Sequence, residues 1–167
     1  MSSADAVATD FDAFLLLIGK LNYAWTNTES LLIHLIAGLS GTDKETATIV
    51  FLTLNTTRAR IDLVERLSKR DRVISRDRGL ILSLTRRIQD QSALRNRYNH
   101  CIYAFDPESG VPRSILMRIA DRKDRLLIGQ SQDLDAAAAE DVKASIDELG
   151  GISRDIWQAI RDLGYPL

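Results

Sequence analysis

The sequence predicts a mainly α-helical protein, a four- to five-helix bundle with a small β-hairpin inserted before the last helix. Three observations predict it. Apolar residues recur every three or four positions through long stretches of the chain. Those stretches are bounded by Ser, Thr, Asp or Gly residues suited to helix ends. Only between about 113 and 131 does the apolar period switch to two.

The elements follow in order. Phe11, Phe14, Ile18, Leu21, Trp25, Leu32, Leu35, Ile36 and Leu39 keep helical spacing, with Thr9 or Asp10 as cap and Gly38 and Gly41 as stop. They predict one long first helix. A second begins near Asp43. The density of Ile49, Val50, Phe51, Leu52 and Leu54 predicts that it is buried or lies at an interface. Asn55-Thr56-Thr57 reads as a break with a new cap, and the next helix runs to about Arg70 on Ile61, Val64 and Leu67. The longest pattern starts near Ser75 or Asp77 and carries Ile81, Leu84, Ile88, Leu94, Tyr98 and Ile102. It is expected to end at Asp106-Pro107, because proline pushes the preceding residue out of the helical region. Arg113 to Ala120 alternates in polarity, and Arg125 to Ser131 holds Leu126, Leu127 and Ile128, which predicts the hairpin. Such a ribbon is marginal alone and must pack on the helices or on a partner. The last helix is expected from Asp133 to Leu163, weakened and kinked at Gly150-Gly151.

A chain of 167 residues suits one domain, residues 1–167, and buries enough surface to fold without metals or disulfides. Cys101 is the sole cysteine, so no intrachain disulfide is possible, which fits a reducing compartment. Met1 to Asp5 carries no basic segment before an apolar run and does not read as a signal peptide. No apolar run approaches the roughly 20 residues of a membrane span. Cytoplasm is the expected location and no membrane contact is expected. The net charge of −1 hides an asymmetry: residues 58–97 hold twelve Lys/Arg against five Asp/Glu, a segment of +7 in a remainder of −8. That middle segment either presents a local positive surface or is a solvated arginine-rich helix pair.

Inside it lies the one chemically pointed segment, Arg95-Asn96-Arg97-Tyr98-Asn99-His100. Arginine clamps phosphate through parallel hydrogen bonds. Histidine as a residue type titrates near neutral pH and moves protons. Asn96 and His100 are spaced to share a helix face, where Asn96 could orient the imidazole or a phosphate oxygen. Arg95 lies about 140° around the same helix from His100. One helix alone does not aim both at a point, which favours a dimer with a composite cleft.

An arginine, a directly following polar residue and a histidine after four intervening positions, late in a long helix of a small bundle, resembles the HEPN superfamily (higher eukaryotes and prokaryotes nucleotide-binding domains). The motif match covers Leu94 to Tyr103, and the rest agrees by architecture. The resemblance implies a metal-independent endoribonuclease, often a toxin or defence effector, that dimerises through the motif helices. It implies that Arg95 binds the scissile phosphate, Asn96 supports it, and His100 is the general acid or base as the ribose 2′-hydroxyl attacks. Arg97, Tyr98, Asn99 and Tyr103 would then contact the substrate. One branch of that superfamily carries a tyrosine two residues after the histidine; here Ile102 stands there and Tyr103 follows it.

Plainer readings stand beside this one. His100 could be a buried histidine bonded to a backbone carbonyl, and Arg95 could serve only an ion pair. His34, between Ile33 and Leu35, reads as a packed or partly exposed residue rather than a catalyst, and Cys101 as a core residue. Two histidines and one cysteine make no zinc set, no Gly-rich phosphate loop is present, and no cofactor is expected. The alternative to an enzyme is a non-catalytic bundle, antitoxin-like or regulatory, that binds RNA, nucleotide or a cognate protein.

Overall fold

The computed structural model describes residues 3–167, with the side chains of 11–119, 123–126 and 129–167. The order is α1 (Ser3–Ser30), α2 (Leu32–Ser40), α3 (Lys44–Thr53), α4 (Thr57–Ser68), α5 (Ser75–Asn99), β1 (Cys101–Phe105), β2 (Pro112–Arg122), β3 (Arg125–Asp133) and α6 (Ala136–Asp162). The protein is therefore mainly helical, with a small antiparallel sheet before the last helix. It forms two compact units, one of the N-terminal stretch through Tyr23 with Ala93–Ile146, the other of Ala24–Ser92 with Asp147–Leu167.

The second unit is helical throughout. Trp25, Leu32, Leu35, Ile61, Ile81, Leu149 and Ile152 are fully buried in it. Its helices begin where short polar side chains satisfy the orphan N–H groups: Asp43 accepts from the Thr46 N–H at 2.8 Å and Thr56 from the Ala59 N–H at 3.1 Å. Gly41, at φ 77°, closes α2 in the left-handed conformation. The single long first helix expected from the pattern is interrupted at Leu31. Thr28 accounts for this locally. Its hydroxyl lies 2.8 Å from the Ala24 carbonyl and 2.7 Å from the Ser153 hydroxyl, and such back-bonding bends a helix. In α3 only one side of the apolar run is covered: Phe51 is buried, whereas Ile49 and Leu52 are exposed.

The first unit packs Phe14, Ile18 and Leu21 of α1, Tyr98 of α5 and Ala138 and Val142 of α6 into its core. Its sheet has the order β1-β2-β3. Cys101 faces Leu116 and Phe105 faces Pro112; Leu116 in turn faces Gln130, and Arg113 faces Asp133. Past Leu116 the register shifts, so that Met117 and Arg118 together oppose Gly129, which sits at φ 68°. Phe11 of α1 meets the sheet edge-on, with ring centroids 5.0 Å from Phe105 and 6.0 Å from Tyr103.

Two expectations are corrected here. The longest helix stops at Asn99, not at Asp106, and the expected two-stranded hairpin is the outer part of a three-stranded sheet. Both have one cause. Cys101-Ile102-Tyr103-Ala104-Phe105 holds one β-branched and two aromatic residues suited to a strand, and it pairs with β2 over its whole length. Ile102, expected on the buried stripe of a helix, is 50% exposed on a strand. The last helix runs through Gly150-Gly151 without a break.

Candidate functional site

The hexapeptide straddles the end of α5. Arg95 to Asn99 form its last turn and His100 occupies the bend before β1. The His100 backbone is held from both sides. Its N–H lies 3.1 Å from the Asn96 carbonyl and 3.4 Å from that of Arg97, and its own carbonyl accepts from Met117 N–H at 3.4 Å. Its side chain is exposed, which removes the reading of a sealed core histidine. His100 follows directly on the last residue of α5, and its N–H keeps the helical bond to the Asn96 carbonyl.

Arg95 is half-buried and surrounded by amides. Its Nη1 donates to Asn96 Oδ1 at 3.0 Å. The orientation of the Asn99 amide that satisfies its neighbours turns Oδ1 to Arg95, accepting from Nε at 2.9 Å and Nη2 at 3.0 Å. In that orientation Asn99 Nδ2 lies 2.9 Å from Asn22 Oδ1. Asn22, on α1, donates from Nδ2 to the Ile18 carbonyl at 3.1 Å. The carbonyl end of a helix attracts cations, so Arg95 and Arg97 are favourably placed at this end of α5. The same dipole repels a phosphate, so any anion held here depends on the guanidinium groups.

The other residues divide. Tyr98 is turned away from solvent, 3% exposed, its ring 5.4 Å edge-on from Phe14; burial raises its pKa. It is a packing residue in this arrangement. Tyr103 donates its hydroxyl to the Tyr98 carbonyl at 3.2 Å, and burial, with hydrogen bonding to Cys101 second, pushes its pKa well above the usual tyrosine range. Cys101 Sγ lies 3.4 Å from the same carbonyl. Tyr103 and Cys101 thus close the last turn of α5. Arg97 is half-buried, and among the described residues its Nε has no hydrogen-bond partner. Asn96 and Asn99 are exposed.

Part of the basic segment is engaged between helices, while Arg58, Arg66, Lys69, Arg70, Arg72, Arg76 and Arg86 are exposed. Arg60 pairs with buried Glu29 at 3.0 Å and lies 4.1 Å above the Phe51 ring. Arg87 is held by Glu148 at 2.8 Å and Asp155 at 2.6 Å, and the latter two raise its pKa. Arg72 donates to the Leu39 carbonyl, and Arg78 to those of Ser68 and Val73. These cations tie helices together. His34 is buried, with Nδ1 2.7 Å from the Pro166 carbonyl, so that nitrogen carries the proton. Among the described residues no three His, Cys, Asp or Glu side chains gather where they could hold a metal ion, and no helix is long and apolar enough to cross a membrane.

An open groove of about 500 Å³ lies in the first unit, lined by Phe14, Leu16 and Leu17 of α1 and by Leu134, Ala136 and Ala139 near the start of α6. None of residues 95–100 lines it. Asn22 is the site residue that sequence reasoning missed. Nothing in its local pattern sets it apart, because its partner is more than seventy residues away in the chain. Comparison with family models, with curated proteins and with solved structures finds no match to this chain.

Proposed function

We propose that this protein is a metal-independent endoribonuclease resembling the HEPN superfamily, acting through Arg95 and His100. The observation that carries the reading is the end of α5. There an exposed imidazole follows directly on the turn that bears an arginine held by two amides. Those are the two functions that phosphodiester transfer to a neighbouring hydroxyl needs: a proton carrier open to solvent and a fixed cation. The ribose 2′-oxygen attacks phosphorus and gives up its proton, the bond from phosphorus to the 5′-oxygen breaks, and that oxygen takes up a proton. His100 serves one of the two proton transfers. Arg95 balances the charge gathering on the non-bridging oxygens. Asn96 steadies Arg95, and Arg97 and Asn99 lie close enough in the chain to meet the flanking backbone. A homodimer, implied by the same resemblance, would bring a second His100 for the other transfer. A toxin or defence role in the cytoplasm, with a cognate protein partner, belongs to this reading as well.

The test is RNA cleavage by wild type and by His100→Ala. The variant is expected to keep its fold, since the side chain is exposed. It should lose cleavage by a factor of about 100 or more. Products should carry 2′,3′-cyclic phosphate ends, and a 2′-deoxy substitution at the cut position should block the reaction. Equal cleavage by wild type and folded His100→Ala would overturn the reading. So would RNA binding without turnover, which would make the protein a binding module.

A further inference from the structure

We infer that Asn22, acting through Asn99, is a positioning residue that sets the direction of the Arg95 guanidinium. The inference rests on the reading above for what Arg95 does with a phosphodiester, but the relay stands on its own contacts. The hydrogen bonds run in one consistent direction. The Ile18 carbonyl of α1 accepts from Asn22 Nδ2 at 3.1 Å. Asn22 Oδ1 faces Asn99 Nδ2 at 2.9 Å, and Asn99 Oδ1 accepts from Arg95 Nε at 2.9 Å and Nη2 at 3.0 Å. Each amide in the relay has a complementary partner, although the two side chains meet closely enough that Asn99 Nδ2 also lies 3.0 Å from Asn22 Nδ2 and Asn99 Oδ1 2.9 Å from Asn22 Oδ1. The chain begins on a helix backbone whose own position is fixed by buried Ile18 and Leu21.

The physical need is clear. Arginine has four rotatable side-chain torsions, and Arg95 sits on the last turn of a helix, where restraint is weakest. Asn96 is its neighbour on the same turn and moves with it, so it fixes one nitrogen without anchoring the group to anything else. Asn99 grips two guanidinium nitrogens at once, but it too belongs to α5 and is exposed. Of these three asparagines, Asn22 is the one on another element. It converts a local clasp into a tie between α1 and α5. A guanidinium held this way keeps its planar fork in one orientation before any phosphate arrives, which is how preorganised charge accelerates a reaction.

The experiment has two arms. In the first, the Arg95 Nε–H is followed by nitrogen-15 NMR, its signal identified by its loss in Arg95→Lys, and its exchange with water is measured. Exchange is expected to be about tenfold faster in Asn99→Ala, and clearly faster in Asn22→Ala. It should stay slow in Asn99→Asp, whose carboxylate still accepts from Arg95. In the second arm, Asn22→Ala is expected to lower kcat on RNA about tenfold with little change in KM, and Asn22→Ala with Asn99→Ala should be no worse than Asn99→Ala alone. Unchanged Arg95 exchange in Asn22→Ala, or additive losses in the double variant, would overturn the relay. Should wild type fail to cleave RNA, the nuclease reading falls while the exchange measurement still decides the relay.

Discussion

The side chains of the hexapeptide do different work although they are adjacent. Tyr98 and His100 are two residues apart, yet one ring is packed against Phe14 and the other is open to water. Burial of that size has a measurable consequence. Tyr98→Ala should destabilise the protein by ~3–5 kcal/mol in urea denaturation, as loss of a buried aromatic ring does. Tyr98→Phe, which keeps the ring, should cost about 1 kcal/mol or less. If both variants melted like wild type, the ring would not be holding the end of α5 in place. The residue types at positions 95, 96 and 100 were readable as phosphate and proton chemistry from the chain alone. Which of the four expected substrate contacts faces solvent was not, because that depends on where α1 lies.

Helix and strand ends show how far local chemistry reaches. Asp43 was visible as the start of α3, and its pKa is lowered first by the Thr46 backbone N–H and then by the Thr46 hydroxyl. A carboxyl held below its usual value of 3.8 contributes stability above that pH, and loses it as pH falls through the lowered folded value. Asp106 behaves alike at the β1–β2 turn, with Ser109 N–H and hydroxyl the leading causes. Thermal melting from pH 6 to pH 2 should therefore show wild type more stable than Asp43→Ala above about pH 4, the difference closing as acid is added. A difference constant with pH would show that the cap does not act through its charge. The end of α5 was misjudged for the converse reason. Asp106-Pro107 is a sound local stop, but residues 101–105 find strand partners from 112–116 before the helix reaches it. Pairing with a distant segment outweighed a pattern that fitted either state.

Across the chain, the long-range contacts decide how charge and space are used. The +7 segment read either as a local positive surface or as a solvated helix pair; Arg60, Arg87 and Arg72 of it are engaged by Glu29, Glu148, Asp155 and the Leu39 carbonyl, and seven of its twelve cations are exposed. The end of the chain gives a second case. Tyr165 lies over Gly38 of α2 so closely that a Cβ there would overlap its ring carbons. Gly38 read as part of a helix stop; it is a seat for an aromatic ring from the far end of the sequence. Gly38→Ala should cost ~1–3 kcal/mol by overpacking. In a Tyr165→Ala background the same change should be neutral or stabilising by up to about 1 kcal/mol, because alanine is the better helix former. Equal cost in both backgrounds would mean that the ring is not the obstacle.

Apolar periodicity and capping residues were enough to predict a mainly helical chain with a strand insertion before its last helix, and residue type and spacing singled out Arg95 to His100. These are properties of residues three or four positions apart, and such neighbours interact whatever the rest of the chain does. The third strand, the exposure of His100, the burial of Tyr98 and the reach of Asn22 to Asn99 were settled only by folding. Each is a contact between segments distant in sequence, and its energy exists only once those segments meet.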